Sequence, residues 1–85
     1  MMEKEIVVNL KQGLHARIAT HFVRTSASFG SEISIKKNAQ TADAKSIMGI
    51  MSMTVLKGDK VIITATGEDE KEAIMALEKF LLGEE

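Results

Sequence analysis

The sequence has no cysteine, proline, tryptophan or tyrosine, and only three phenylalanines among its 85 residues. Without cysteine the chain forms neither a disulfide framework nor a thiolate metal site, and we expect no bound metal. Nucleic-acid-binding domains usually combine a basic surface with stacking aromatic side chains. The net charge of −1 and the scarcity of aromatic residues therefore argue against nucleic acid as a direct partner.

Long apolar runs are also missing. No stretch approaches the roughly 20 apolar residues that a membrane-spanning helix needs. The first five residues are largely charged and lack the apolar segment of a secretion signal, so we expect a cytoplasmic protein without membrane insertion. The apolar fraction of 45% and charged fraction of 27% are ordinary for a globular domain, and we predict that residues 1–85 form a single domain.

Four short segments show the alternation of apolar and polar residues that is typical of half-buried strands. They cover residues 6–10, 32–36, 41–43 and 61–65. Between and after them, apolar residues recur at three- and four-residue steps, which indicates helices. The element order β-α-β-β-α-β-α predicts an α+β fold: an open-faced β-sandwich with a four-stranded antiparallel sheet and three helices on one face.

The three predicted helices differ in how clearly the sequence marks them. Residues 15–27 carry a small-residue stripe, and residues 47–51 follow Ser46, which is placed to cap that helix. Acidic residues at 68–70 precede the last helix and complement its dipole. Its wide apolar stripe consists of Ala73, Ile74, Leu77, Phe80 and Leu81.

His15 precedes the first predicted helix, within Gly-Leu-His-Ala-Arg at residues 13–17. Unpaired backbone N–H groups at a helix start form an anion site. A neutral imidazole is a nucleophile at neutral pH, and the Arg17 guanidinium could neutralise a phosphoryl group carried on it. From the residues alone, a histidine at a helix start is more often a capping or surface residue. His21 is off the spacing that would place it beside His15.

Two motifs together resemble the HPr family, the histidine-containing phosphocarriers of the phosphoenolpyruvate-dependent sugar phosphotransferase system. They are Gly-Leu-His-Ala-Arg at 13–17 and Lys-Ser-Ile-Met-Gly-Ile-Met at 45–51. The resemblance covers essentially the whole chain. It implies that His15 accepts phosphate from enzyme I on Nδ1 and passes it to enzyme IIA domains, with Arg17 steadying the phosphoryl group. It implies a phosphoryl carrier rather than an enzyme, with no metal or organic cofactor.

Ser46 has a local role and an implied regulatory one. As a helix N-cap, its hydroxyl contributes about 1 kcal/mol to stability. The resemblance implies that an HPr kinase/phosphorylase modifies Ser46, and that the modified protein binds a catabolite-control transcription factor. The added negative charge would also disfavour docking on acidic surfaces.

Further surface positions are implied as partner-binding residues. Methionine at helical spacing is often core, but a two-turn helix in a small domain cannot bury every side. The resemblance implies a docking patch of Ile47, Met48 and Met51. Thr20 and Arg24 lie about one and two helical turns along from residues 15–17, so they could face the same partners. Arg24 could also be only a solvated charge.

Two positions depart from the family pattern. Ile18 stands where the family has proline, and Gln12 replaces a small residue, so we predict a slower or less rigid carrier. Residues 10–14 and 67–70 also resemble the catabolite-repression HPr paralogue, Crh, which gives the alternative of a corepressor acting mainly through phospho-Ser46. Because that paralogue lacks the active-site histidine, His15 favours the carrier. A plain interaction module using neither phosphorylation site is the third interpretation.

Overall fold

A computed structural model describes residues 1–84, and its helices and strands follow the predicted order. Glu85, the last residue of the predicted domain, lies outside the described residues. The elements are β1 (Met2–Val7), α1 (Ala16–Ala27), β2 (Glu32–Lys37), β3 (Gln40–Asp43), α2 (Ile47–Ser52), β4 (Lys60–Thr66) and α3 (Glu70–Leu81). The sheet has the order β1-β4-β2-β3 with antiparallel pairing between all neighbours. The predicted open-faced β-sandwich is confirmed.

The sheet has one apolar face and one polar face. On the apolar side, Ile35 pairs with Ile63 and Ile33 with Ala65, and all four are buried. The intervening residues point the other way and are partly or fully exposed, as a side-chain period of two requires. The three helices cover the apolar side only.

Helix α3 supplies the largest apolar stripe of the core, as its sequence predicts. Ala73, Ile74, Leu77, Phe80 and Leu81 are all buried. The Phe80 ring meets the Phe22 ring of α1 edge-on, with centroids 5.5 Å apart and an interplanar angle of 70°. Such a pair is worth about 0.5–1.5 kcal/mol beyond its burial. Helices α1 and α3 are thereby fixed against each other.

The predicted position of the first strand was wrong. The pairing begins at Met2 and ends at Val7, whereas the sequence pattern predicts residues 6–10. Ile6 and Val8 are buried as expected, but Val8 is past the end of the strand. The apolar alternation does not extend to the start of the strand, because charged residues occupy it. Lys4 lies on the helix side, where its ammonium group binds the Glu78 carboxylate of α3 at 3.0 Å in place of an apolar contact.

The predicted stripe of α1 was only partly right. Ala19 is buried, but Ala16 and Ala27 are exposed, and Phe22 and Ser26 complete the buried face instead. Ser26 can be buried because its hydroxyl donates to the carbonyl of Phe22 at 2.9 Å. The buried face is therefore rotated from the small-residue stripe toward the large Phe22 ring.

Candidate functional site

The loop before α1 is fixed by a close approach between Gly13 and the segment that precedes β4. Gly13 has a φ of +70°, and a Cβ there would lie 2.1 Å from the carbonyl oxygen of Val55. The backbone N–H of Leu14 donates to the same carbonyl at 2.9 Å, and the Leu14 side chain is buried. Glycine at position 13 is required by both the backbone conformation and the space. The chain is anchored immediately before His15.

His15 is the N-cap residue of α1, in extended conformation with φ −94° and ψ 178°. Its carbonyl accepts from the N–H of Ala19 at 2.7 Å. The imidazole makes no capping hydrogen bond and is exposed. The N–H groups of the first turn have no partner within the helix, and that turn contains no acidic residue. A phosphoryl group on His15 would meet N–H dipoles without an opposing carboxylate.

The polar candidates of α1 form an exposed stripe that begins beside His15. Arg17, Thr20 and Arg24 are all exposed and follow one another at three- and four-residue steps, which places them on one side of the helix. The Thr20 hydroxyl donates to the carbonyl of Ala16 at 3.0 Å. This stripe carries two exposed guanidinium groups, those of Arg17 and Arg24.

Ser46 caps α2, as the sequence predicts. Its hydroxyl oxygen accepts from the N–H of Gly49 at 3.0 Å, and its own N–H donates to the carbonyl of Asp43 at the same distance. A Cβ at position 49 would lie 3.2 Å from the Ser46 oxygen, so Gly49 leaves room around the hydroxyl. The adjacent Lys45 ammonium donates to the carbonyl of Phe29 at 2.7 Å, which ties the start of α2 to the segment after α1.

Helix α2 exposes an apolar surface beside α1. Ile50 is buried and anchors the helix, while Ile47, Met48 and Met51 are exposed. We call these three exposed residues the apolar patch. Helix α2 packs against α1 and β3, so the patch borders the helix that begins at His15. The placement is that of a surface patch rather than a core stripe.

Leu56 is an additional surface candidate that sequence reasoning missed. It is 54% exposed, and its Cα would lie 2.9 Å from a Cβ on Gly13, so it adjoins the His15 loop. Its N–H donates to a carboxylate oxygen of Asp59 at 2.8 Å. The available signal was a large apolar residue immediately before the Lys-Gly-Asp turn at 57–59.

The carboxylate of Asp59 stabilises the loop that precedes β4. Lys37 lies 2.7 Å from Asp59, and its ammonium also donates to the carbonyl of Thr54. The Lys37 hydrogen bond, followed by the Leu56 N–H, lowers the pKa of Asp59. Asp59 therefore braces, as a carboxylate, the segment that carries the Val55 carbonyl.

Asp69 joins the turn after α1 to the start of α3. It accepts from the N–H groups of Gly30 at 2.8 Å and Ser31 at 3.0 Å, and from the Ser31 hydroxyl. The hydroxyl bond is the largest cause of a lowered pKa for Asp69, followed by the Gly30 N–H. Glu70 accepts from the N–H of Gly67 at 3.1 Å, and this bond is the main cause of the lowered pKa of Glu70.

The second histidine, His21, lies in a separate cleft. His21 lines a cleft that also contains Leu10, Ile18 and Phe80. Among residues 1–84, no group of three histidine or carboxylate side chains is placed to hold a metal ion. None of the helices in that described part is long and apolar enough to cross a membrane.

Residues 2–82 match the family model described as "PTS HPr component phosphorylation site". The chain belongs to the HPr family. The HPr-like protein Crh of Halalkalibacterium halodurans is 44% identical over 81 residues, which cover 95% of this chain and 96% of the relative. The phosphocarrier protein HPr of Buchnera aphidicola is 38% identical over 81 residues, covering 95% of both chains.

The fold also matches that of a solved HPr structure. The crystal structure of a phosphocarrier protein HPr from Bacillus anthracis superposes with a TM-score of 0.92 at 42% identity, covering 94% of this chain and 95% of the other. HPr is a phosphocarrier and not a catalyst. The chain is accordingly an HPr-family phosphocarrier or a Crh-like protein, since both types match over nearly its full length.

Proposed function

We propose that this chain is a phosphocarrier of the phosphoenolpyruvate-dependent sugar phosphotransferase system, receiving phosphate from enzyme I on His15 and passing it to enzyme IIA domains. The observation that carries the proposal is the position of His15. Its exposed imidazole lies at the start of α1, beside N–H groups without intrahelical partners and in a turn without acidic residues. The family supplies the reaction class in which such a group is used.

In the proposed transfer, Nδ1 of neutral His15 attacks the phosphorus atom carried by enzyme I. The bond from phosphorus to the enzyme I group breaks as the new P–N bond forms, and the electron pair leaves with the donor. The first-turn N–H groups and the Arg17 guanidinium then neutralise the anionic oxygens on His15. In the second transfer, a nucleophilic group of enzyme IIA attacks the phosphorus atom, the P–N bond to His15 breaks, and its electron pair returns to Nδ1. The protein is thus a covalent intermediate of a relay, without turnover of its own.

The apolar patch and the α1 stripe are the proposed docking surface for enzyme I and enzyme IIA. Ile47, Met48 and Met51 offer exposed apolar contact area, and Thr20 and Arg24 offer polar contact beside it. Flexible thioethers suit a surface that repacks against several partners. The arginines favour partners with acidic surfaces around their reactive groups.

Ser46 is the proposed regulatory position, modified from ATP by an HPr kinase/phosphorylase. Its hydroxyl lies at the first residue before α2, next to the apolar patch. A phosphate there is stabilised by the helix start but places a dianion beside the docking surface. The same phosphate would serve recognition by a catabolite-control transcription factor, as in the Crh-like alternative.

The test incubates the purified protein with phosphoenolpyruvate and enzyme I, followed by intact mass measurement at neutral and acid pH. The expected result is one acid-labile phosphoryl adduct, retained in His21→Ala and absent in His15→Ala. His21→Ala is the matched control because it removes the other imidazole while leaving α1 its N-cap. An adduct that persists in His15→Ala contradicts the assignment.

A second incubation with ATP and the kinase distinguishes the alternative function. An acid-stable adduct at Ser46, without any acid-labile adduct from enzyme I, would assign the chain to the Crh-like regulators. Both adducts are expected for a carrier under serine control. The His15 adduct should still form despite Ile18, although more slowly than in a carrier with proline at that position.

A further inference from the structure

The methionines of this chain differ sharply in exposure. Met48 is 80% exposed and Met51 is 49% exposed, both within the apolar patch. Met53 is 4% exposed, although it lies only two positions after Met51. Met75, on α3, is 53% exposed and lies outside the patch. Met1, at the start of the chain, is 77% exposed and also lies outside the patch. The chain therefore contains exposed thioethers in the proposed docking surface, a protected one nearby and two exposed ones elsewhere, at Met1 and Met75.

Peroxides convert an accessible thioether to a sulfoxide. The sulfur attacks one oxygen of hydrogen peroxide, the O–O bond breaks, and the sulfur is oxidised as the peroxide is reduced to water. The product is polar and chiral in place of a flexible apolar side chain, and methionine sulfoxide reductases reverse it. No metal or other cofactor is needed for the oxidation step.

The position of Met48 and Met51 determines what their oxidation changes. In the free protein both side chains face water, so a sulfoxide remains hydrated and costs the fold little. Ile50, which anchors α2, and the Ser46 cap are not touched by the reaction. When a partner covers the patch, each sulfoxide oxygen loses its water and needs a hydrogen-bond donor. The cost of desolvating the sulfoxide oxygens therefore weakens partner binding rather than folding.

We propose that Met48 and Met51 form a peroxide-sensitive modification site that weakens partner docking while leaving the fold intact. This inference rests on the proposed function, because it takes the apolar patch as the surface that enzyme I covers. Serine phosphorylation and thioether oxidation would then act on the same short helix α2, one adding charge at its start and the other adding polarity to its exposed side.

The first measurement maps the oxidation itself. The protein is exposed to graded hydrogen peroxide, the peroxide is removed with catalase, and the sulfoxide fraction at each methionine is measured by peptide mass spectrometry. Met48 and Met51 should be oxidised well before Met53, and Met53 should react readily only in denaturant. Equal oxidation of Met51 and Met53 under native conditions would overturn the proposed selectivity.

The second measurement compares the rate of phosphorylation by enzyme I before and after oxidation, at a protein concentration below the KM. We expect a fall of about tenfold, the size produced by burying an unsatisfied polar group. Treatment with both sulfoxide reductases should restore the rate. Far-ultraviolet circular dichroism should remain unchanged throughout.

Matched variants assign the effect to the patch. The double variant Met48→Leu/Met51→Leu keeps apolar side chains of similar volume but has no thioether there, so its treated-to-untreated rate ratio should stay near one. Met75→Leu removes the accessible thioether on α3 and should keep both the basal rate and the full loss on oxidation. Equal sensitivity of the double variant and the parent protein would overturn the proposal.

Different results would contradict the proposed carrier function and the proposed effect of methionine oxidation. If the untreated protein receives no phosphate from enzyme I, the proposed function is wrong and the docking inference falls with it. If the untreated protein is phosphorylated and the oxidised protein is phosphorylated at the same rate, the inference alone is wrong.

Discussion

A single carbonyl, that of Val55, both accepts the N–H of Leu14 at 2.9 Å and lies where a Cβ on Gly13 would come within 2.1 Å of its oxygen. This contact joins the loop before α1 to the loop before β4. It fixes the backbone just ahead of His15, so the imidazole starts from a defined position at the helix end. The geometry of the proposed phosphorylation site therefore depends on residues far apart in the sequence.

Replacing Gly13 with alanine tests this anchor. Gly13→Ala adds a clash with backbone atoms to an unfavourable φ of +70°. We expect a loss of about 2 kcal/mol or more in the free energy of unfolding, and slower phosphorylation of His15. Gly58→Ala is the control, because Gly58 also has a positive φ of +92° but has open space around it. It should lose only about 1 kcal/mol. Equal losses, measured by urea unfolding, would contradict the contact.

Substitutions at Ser46 separate its capping role from its regulatory one. Ser46→Ala removes the oxygen that accepts the Gly49 N–H and should cost about 1 kcal/mol. Ser46→Asn keeps a capping oxygen without a phosphorylatable hydroxyl, so it should keep its stability and its rate of His15 phosphorylation. Ser46→Asp also caps the helix but adds charge, and it should slow that rate. Identical rates for the Asn and Asp variants would show that charge at this position does not control docking.

Ile18→Pro should favour the proposed carrier function. Ile18 occupies the third position of α1, where the N–H has no partner within the helix, so proline removes no helical hydrogen bond. Proline reduces the freedom of the unfolded backbone, which should stabilise the fold by about 0.4–1 kcal/mol. A more rigid helix start beside His15 should also raise the phosphorylation rate. Ile18→Val retains a branched side chain and should leave the rate nearly unchanged. Stopped-flow transfer from phospho-enzyme I measures both, and a slower proline variant would contradict the expectation.

Asp69 should make stability depend on pH in the acid range. Its hydrogen bonds to Ser31 and Gly30 lower its pKa in the folded protein below the usual 3.8. The carboxylate therefore stabilises the fold fully above about pH 4, and this contribution is lost as the pH falls through the lowered pKa. Asp69→Asn should be less stable than the parent at neutral pH, and the difference should shrink on acidification.

A double-mutant cycle identifies the source of that pH dependence. Asp69→Asn and Ser31→Ala are compared singly and together by urea unfolding at neutral pH and near pH 3. Their coupling should be favourable at neutral pH and weaker in acid, because the Ser31 hydroxyl donates to the carboxylate. Coupling that does not vary with pH would exclude the ionised Asp69 as its cause.

Elements with strong internal patterns were predictable from the sequence. The stripe of α3 is complete in the structure because a helix covering a sheet buries one continuous side. Strand β1 was misplaced because it lies at the edge of the sheet beside β4 and carries three charged residues in succession at 3–5. Its pairing is fixed by β4, and Lys4 uses a salt bridge with Glu78 in place of burial. The residues around β1 in the sequence indicate neither its pairing with β4 nor the contact of Lys4 with Glu78.

In the candidate site, too, features set by neighbouring residues were predictable and contacts between distant segments were not. The helix-start positions of His15 and Ser46 were predictable, because capping depends on the residues immediately following. The contact of Gly13 with Val55 and the tie from Lys45 to Phe29 were not, since they join segments brought together only by the fold. The assigned roles of Arg17, Thr20, Arg24 and the apolar patch remain predictions.

The most direct test of the central claim is an amide correlation spectrum of ¹⁵N-labelled protein, recorded before and after phosphorylation through enzyme I. If the phosphoryl group is held on His15 by the start of α1, the largest shifts should fall on the N–H groups of Ala16, Arg17 and Ile18. Those shifts should be absent in His15→Ala and present in His21→Ala. Shifts centred on His21 or on α2, or an unchanged spectrum, would contradict the account.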